Sequence, residues 1–98
     1  MNSFGEYLRN RREQLGLPLR KVAAELDIDT SILSKIERNE RVATKEMLPT
    51  LAKTLEVHQK EMEIDFIKAF ILSAIGDLKF LKNGLEETLN TINSRKKI

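Results

Sequence analysis

The sequence predicts an all-α protein, in which a bundle of four to five helices is followed by a C-terminal helical arm. Apolar residues recur every three or four positions along most of the chain, as they do on one face of an α-helix. Glycines, prolines and short polar runs interrupt this spacing and predict the turns. The chain has 98 residues, which suits one small domain of roughly 60 residues and an extension.

The first helix has signals at both of its ends. Ser3 is a candidate N-cap, and Glu6 follows it at the spacing of a capping box. Gly16 is the residue at which this helix is expected to end. Between these ends the inner apolar face consists of Phe4, Leu8 and Leu15.

The stretch from Leu17 to Asn39 predicts two helices joined by a tight turn. An apolar stripe at helical spacing lies on each side of the polar break from Asp27 to Asp29. Pro18 suits the start of the first helix, and Asp29 is the expected N-cap of the second. The second helix then directs small polar and basic residues away from the body, as a helix that enters a DNA major groove requires: Thr30, Ser31, Ser34, Lys35 and Arg38.

The next predicted helix begins near Thr44 and continues to Leu55. Pro49 falls inside it, where a proline ring removes one backbone hydrogen bond. We therefore expect this helix either to bend at Pro49 or to start its regular part late.

Residues 59–98 predict a helical arm. Nine positions from Ile64 to Ile92 follow one another in alternating steps of three and four, which is a heptad pattern. Eight of the nine are apolar, and the exception is Thr88. A twofold dimer could bury this seam, because the pattern is self-complementary. The alternative is that the arm caps the bundle of a monomer. The residues expected at the dimer interface are Ile64, Ile67, Phe70, Ile71, Ala74, Leu78, Leu81 and Leu85.

Gly76 and Asp77 leave two interpretations of the arm. A glycine at a helix end followed by an N-cap aspartate would divide it into two helices. The heptad seam nevertheless keeps its phase across this point, so we expect one long helix, continuous or kinked at Gly76.

The segment LPLRKVAAELDIDTSILSKIERN resembles the helix-turn-helix of the lambda-repressor/Cro (Xre) family, and the resemblance extends from about Phe4 to Val57. It implies a lambda-repressor-like bundle that binds double-stranded DNA. It also implies an ion pair between Arg12 and Glu37. The base-reading positions it implies are Thr30, Ser31 and Lys35, and the phosphate contacts we expect are Arg20, Ser34, Arg38, Arg41 and Lys45.

The sequence departs from this family at several positions. Leu19 stands where many members have a glutamine that contacts a phosphate, so the resemblance does not extend to that contact. Asp27 and Asn39 replace glycines, and both residue types tolerate left-handed backbone. Arg9 and Arg11 either lie near the DNA backbone or belong to a solvated face balanced by acidic neighbours.

Other classes of function find little support in the sequence. There is no cysteine, and the single histidine, His58, lies in a polar joint, so we expect no enzyme, no cofactor and no metal site. No small-molecule ligand is indicated, and no stretch without charge is long enough for a membrane span. These features predict a cytoplasmic protein. The 17 basic and 15 acidic residues give a formal net charge of only +2, so DNA binding must depend on where the charges lie.

Together these patterns predict a DNA-binding domain in residues 1–58 and a dimerisation extension in residues 59–98. The expected function is a sequence-specific transcriptional regulator, a repressor or controller, that binds a palindromic operator as a homodimer. The LPLRKVAAELDID and SKIER stretches resemble regulators that accompany restriction-modification enzymes. The alternative is an antitoxin or adaptor whose C-terminal helix binds a different protein.

Overall fold

The structure, a computed structural model, describes residues 3–96. All regular elements in this range are helical, which confirms the predicted fold class. A single 3-10 turn, Lys45–Met47, directly precedes α4. The α-helices are α1 (Phe4–Gln14), α2 (Leu19–Glu25), α3 (Thr30–Glu37), α4 (Leu48–Thr54), α5 (Gln59–Ile75) and α6 (Leu81–Lys96).

Helices α1 to α4 and the first half of α5 share one hydrophobic core. Met62 of α5 is completely buried, and the ring of Phe66 meets that of Phe4 edge-on, with 5.3 Å between the ring centroids. Helix α5 therefore supplies part of the core that α1 to α4 form. The buried apolar residues are Phe4, Leu8, Val22, Ala23, Leu33, Ile36, Ala43, Leu48, Leu51, Ala52, Leu55 and Met62.

The first four α-helices end in the same way. A residue with left-handed backbone follows each of them, and its N–H and that of the next residue bond to carbonyls of the last helical turn. Asp27 (φ 55°) and Asn39 (φ 62°) occupy two of these positions, as the sequence predicts, and Gly16 occupies a third. Glu56 (φ 55°) occupies the fourth, although glutamate has no special tolerance for this conformation.

Replacing Glu56 by glycine is expected to raise the free energy of unfolding by about 1 kcal/mol, because left-handed backbone costs a residue with a Cβ roughly 1–2 kcal/mol. Part of this gain is offset by the greater flexibility of glycine in the unfolded chain. Urea unfolding of the full chain measures the change. Glu63→Gly, at an exposed position inside α5, is the control and is expected to lose about 1 kcal/mol. A lower free energy of unfolding in both variants would show that the left-handed backbone at Glu56 is not strained.

The starts of α1 and α4 agree with the predictions from the sequence, and the start of α3 differs from its prediction in one respect. The Ser3 hydroxyl accepts a hydrogen bond from the Glu6 N–H at 3.1 Å, as predicted. Of the two outcomes considered for Pro49, the structure shows the late start, since the 3-10 turn precedes α4 and places Pro49 in its first turn. Asp29 lies at the N-cap of α3, but its side chain makes no capping hydrogen bond. The expected side-chain cap is therefore wrong.

The arm is two helices, so the expectation of one long helix is wrong. Helix α5 ends at Ile75 and α6 begins at Leu81. Past Ala69 the arm no longer packs on the core, so intrinsic propensity decides, and Gly76 and Asp77 are both weak helix formers. The radius of gyration is 15.4 Å, whereas a compact domain of this length has about 13 Å.

Candidate nucleic-acid interface

Helix α3 has a buried inner face and a polar outer face. Leu33, Ile36 and Glu37 are buried, and the helix packs on α1 and α2. The opposite face contains the five residues that the sequence places outward. Ser34 is half-buried, and the other four, Thr30, Ser31, Lys35 and Arg38, are exposed. The structure thus brings together all the predicted base-reading side chains on one accessible face.

The Arg12–Glu37 pair holds the end of α3 against α1. Arg12 Nε donates to Glu37 Oε2 at 2.8 Å, and its Nη2 donates to Oε1 at 3.0 Å. Arg12 Nη1 also donates to the Leu17 carbonyl at 2.9 Å. The two side chains are only 13% and 5% exposed. The hydrogen bonds that Arg12 donates to Glu37, more than the charge of Glu37, raise the pKa of Arg12 above its ordinary value, so the guanidinium stays ionised.

A second feature fixes α1 against α3. A Cβ on Gly5 would meet the carbonyl oxygen of Ile36, would lie 2.8 Å from that of Glu37, and would lie 2.9 Å from the Asn39 side chain. Only a residue without a side chain allows this approach. The contact joins residues far apart in the sequence, so the sequence pattern gave no signal for it.

Most of the predicted phosphate-binding cations are free of ion pairs. Within residues 3–96, no ion pair involves Arg20, Arg41 or Lys45, and all three side chains are exposed. The same holds for Lys35, which is predicted to read bases. Arg38 is different, because its Nη1 lies 3.2 Å from a carboxylate oxygen of Glu40. A phosphate would have to compete with Glu40 for Arg38.

The arginines on the outer face of α1 make contacts within the chain. Arg11 is half-buried and donates to the carbonyls of Leu55, at 2.8 Å, and Glu56, at 3.1 Å. It therefore caps the end of α4. Arg9 is exposed and lies 3.4 Å from Glu13. Of the two interpretations, the structure supports the solvated face for Arg9, and Arg11 fits neither.

The residues expected at a dimer interface remain accessible. Ile71 and Leu81 are half-buried, and the other six, Ile64, Ile67, Phe70, Ala74, Leu78 and Leu85, are exposed. Ile64, Ile67 and Ile71 lie on the side of α5 that faces away from Met62 and the core.

Metal-ligand clusters and membrane-spanning helices are two further features that bear on function. Residues 3–96 contain no cluster of three or more potential metal ligands. None of the helices in this range is both long enough and apolar enough to cross a membrane.

One comparison with known proteins is informative. A family model described as helix-turn-helix matches residues 8–58, which is more than half of the chain. No curated protein and no solved structure shows significant similarity to the chain. The matched segment begins in α1 and ends at the start of α5, so it contains α3 and its outer face.

Proposed function

Because the chain belongs to the lambda-repressor (Xre) type of helix-turn-helix proteins, a family of DNA-binding transcription regulators, we propose that it binds a near-palindromic operator as a homodimer in the cytoplasm. The observation that supports this proposal best is the exposed outer face of α3. Two such helices would enter successive major grooves about one turn, or roughly 34 Å, apart.

Different side chains contact the bases and the phosphates of the operator. Thr30, Ser31 and Lys35 read base edges, and the long cation of Lys35 favours guanine. Threonine and serine reach only a short way into the groove, so much of the specificity comes from DNA shape. The phosphate contacts set the affinity and its salt dependence. They come from Arg20, Ser34, Arg38, Arg41 and Lys45.

Exposed apolar surface supports the homodimer. Ten large apolar side chains of α5, α6 and the turn between them are 39–68% exposed. Their combined accessible surface is roughly 1,000 Å², distributed over more than one face of the two helices, whereas the largest single apolar patch on a typical monomer is about 300–600 Å². A standard interface buries about 800 Å² per partner, so one second copy could cover this surface.

Control by protein concentration is the simplest scheme for such a dimer, because the chain has no separate ligand-sensing domain among its described residues. As the biological role we propose that of a controller of a restriction-modification operon. The same apolar surface also fits the second candidate, an antitoxin or adaptor that binds a different protein.

Alanine at Lys35 is expected to change the sequence preference, whereas alanine at Arg41 is expected to weaken binding to all sequences alike. Selection from random-sequence DNA duplexes with the full chain supplies the preferred site, and fluorescence anisotropy measures affinity for it and for unrelated duplexes. Loss of the Lys35 contact should remove about 1–3 kcal/mol of the binding free energy that distinguishes the preferred base pair from the others at that position. Arg41→Ala should reduce the slope of log K against log salt by about 1.

Two outcomes would count against this proposal. Uniform weakening by both variants would refute the division between base and phosphate contacts, and selection of an asymmetric single site would contradict the homodimer. Lys60→Ala removes an equal charge from an exposed position on α5 and is the control. It should leave both the preference and the salt slope unchanged.

A further inference from the structure

Within residues 3–96, helix α6 makes no extensive contact with another helix. Every side chain from Lys82 to Arg95 is exposed, and Leu89 is 57% exposed. A lone helix of about 15 residues is marginal in water, and α6 contains glycine and three asparagines, which lower its propensity further. Its apolar residues Leu85, Leu89 and Ile92 share one face. This face therefore requires a surface to pack on.

The same chain contains an apolar groove, and α6 does not pack in it. The groove has a volume of about 670 Å³ and runs between α5, the N-terminus of α1 and the loop after α3. Val42, in that loop, is 67% exposed although it is aliphatic. No α6 residue is among the described residues that line it. The apolar residues that line this α5 groove include Phe4, Ile36, Val42, Ala43, Phe66 and Phe70, and polar residues lie beside them.

We propose that α6 of one copy packs in the α5 groove of a second copy and that the exchange is reciprocal. This inference rests on the homodimer proposed above and assigns its interface. One chain carries both an unpartnered helix and an unfilled groove, so a twofold pair satisfies both needs with the same contact. Helix α6 extends from the bundle rather than folding back on it, which leaves it accessible to a neighbour.

The exchange would link dimerisation to DNA contact. Arg41 and Val42 are adjacent in the loop after α3, and both line the groove. A helix packed over Val42 holds this loop in place and with it the guanidinium of Arg41. Dimer formation therefore strengthens the phosphate contact of each half-site as well as joining two half-sites.

Cross-linking tests the exchange in the full chain, which contains no cysteine of its own. Untagged Val42→Cys chains are mixed with mass-tagged chains that carry Leu85→Cys, Leu89→Cys or Ile92→Cys, and the mixtures are oxidised with copper phenanthroline. At least one of the three should form a mixed disulfide dimer with Val42→Cys. Asn90→Cys, on the opposite side of α6, is the matched control and should cross-link at least tenfold less.

Light scattering over a dilution series provides an independent measurement. Val42→Asp should weaken the dimer at least tenfold, because the carboxylate would be buried against α6. Thr44→Asp, at an exposed position of the same loop outside the groove, should leave the dimer unchanged.

The outcomes separate this inference from the proposed homodimer. A chain that is monomeric at all concentrations contradicts both. A dimer that forms no mixed disulfide with any of the three α6 positions, or that links equally through Asn90→Cys, overturns the exchange alone. A dimer that tolerates Val42→Asp as well as Thr44→Asp overturns it too.

Discussion

Replacing Glu37 by alanine is expected to lower the free energy of unfolding by about 3–5 kcal/mol, the usual cost of breaking a buried ion pair from one side. The substitution leaves the Arg12 guanidinium mostly buried, with only the Leu17 carbonyl as a described partner. These hydrogen bonds join α1 to the last turn of α3. Without them the outer face of α3 is held less firmly against the bundle.

Thermal and urea unfolding of the full chain, followed by circular dichroism, measure this loss. Glu13→Ala is the control because it breaks the Arg9–Glu13 pair, whose side chains are 55% and 53% exposed. An exposed pair of this kind contributes about 0–1 kcal/mol. Equal losses in the two variants would show that the buried pair has no special role.

A double variant separates the charge from the space that the pair fills. Arg12→Met combined with Glu37→Leu removes both charges and keeps apolar side chains in the same place. Such replacements are often neutral or stabilising, so the double variant should recover most of what Glu37→Ala loses. Failure to recover would mean that the hydrogen bond to the Leu17 carbonyl matters more than the charge balance.

The helix ends that the sequence predicts correctly depend on local interactions. Ser3 bonds to an N–H three residues away, and the left-handed positions at Gly16, Asp27 and Asn39 follow from the residue types found there. Glu56 could not be predicted in this way, since its residue type does not favour left-handed backbone. Its backbone carbonyl accepts a hydrogen bond from Arg11, across 45 positions of the sequence.

The arm shows why a periodic pattern can mislead. Residues 76–80 keep the apolar spacing of the flanking helices, so periodicity alone does not reveal the break between Ile75 and Leu81. What decides there is the loss of core contact after Ala69, which is a property of the tertiary structure. The candidate site was predictable to a greater extent, because the outer face of α3 follows from helical spacing and from the buried positions of Leu33 and Ile36.

Replacing Gly5 by alanine is expected to lower the free energy of unfolding by about 3 kcal/mol, near the upper end of the usual cost of overpacking. The new Cβ would meet the carbonyl oxygens of Ile36 and Glu37. These are backbone atoms at the end of α3 and cannot rotate away as a side chain can. Relief of the contact requires α1 and α3 to separate, which also lengthens the bonds between Arg12 and Glu37.

Gly84→Ala is the matched control for this substitution. A Cβ at Gly84, in the first turn of α6, meets no atom within 4 Å, and alanine there should favour the helix by at most about 0.5–1 kcal/mol. The free energy of unfolding measured with urea, and the helical circular dichroism signal, should therefore both decrease for Gly5→Ala and both increase for Gly84→Ala. A Gly5→Ala chain as stable as the parent would contradict the close contact between α1 and α3.

A second substitution distinguishes the contributions to the crowding at Gly5. Of the three atoms nearest to the new Cβ, Asn39→Gly removes the one that belongs to a side chain. It also relaxes a left-handed residue, so alone it should raise stability. Combined with Gly5→Ala it should restore only a small part of the loss, because both carbonyl oxygens remain. Full recovery would place the conflict at the Asn39 side chain and would mean that the end of α3 can shift to accept a methyl group.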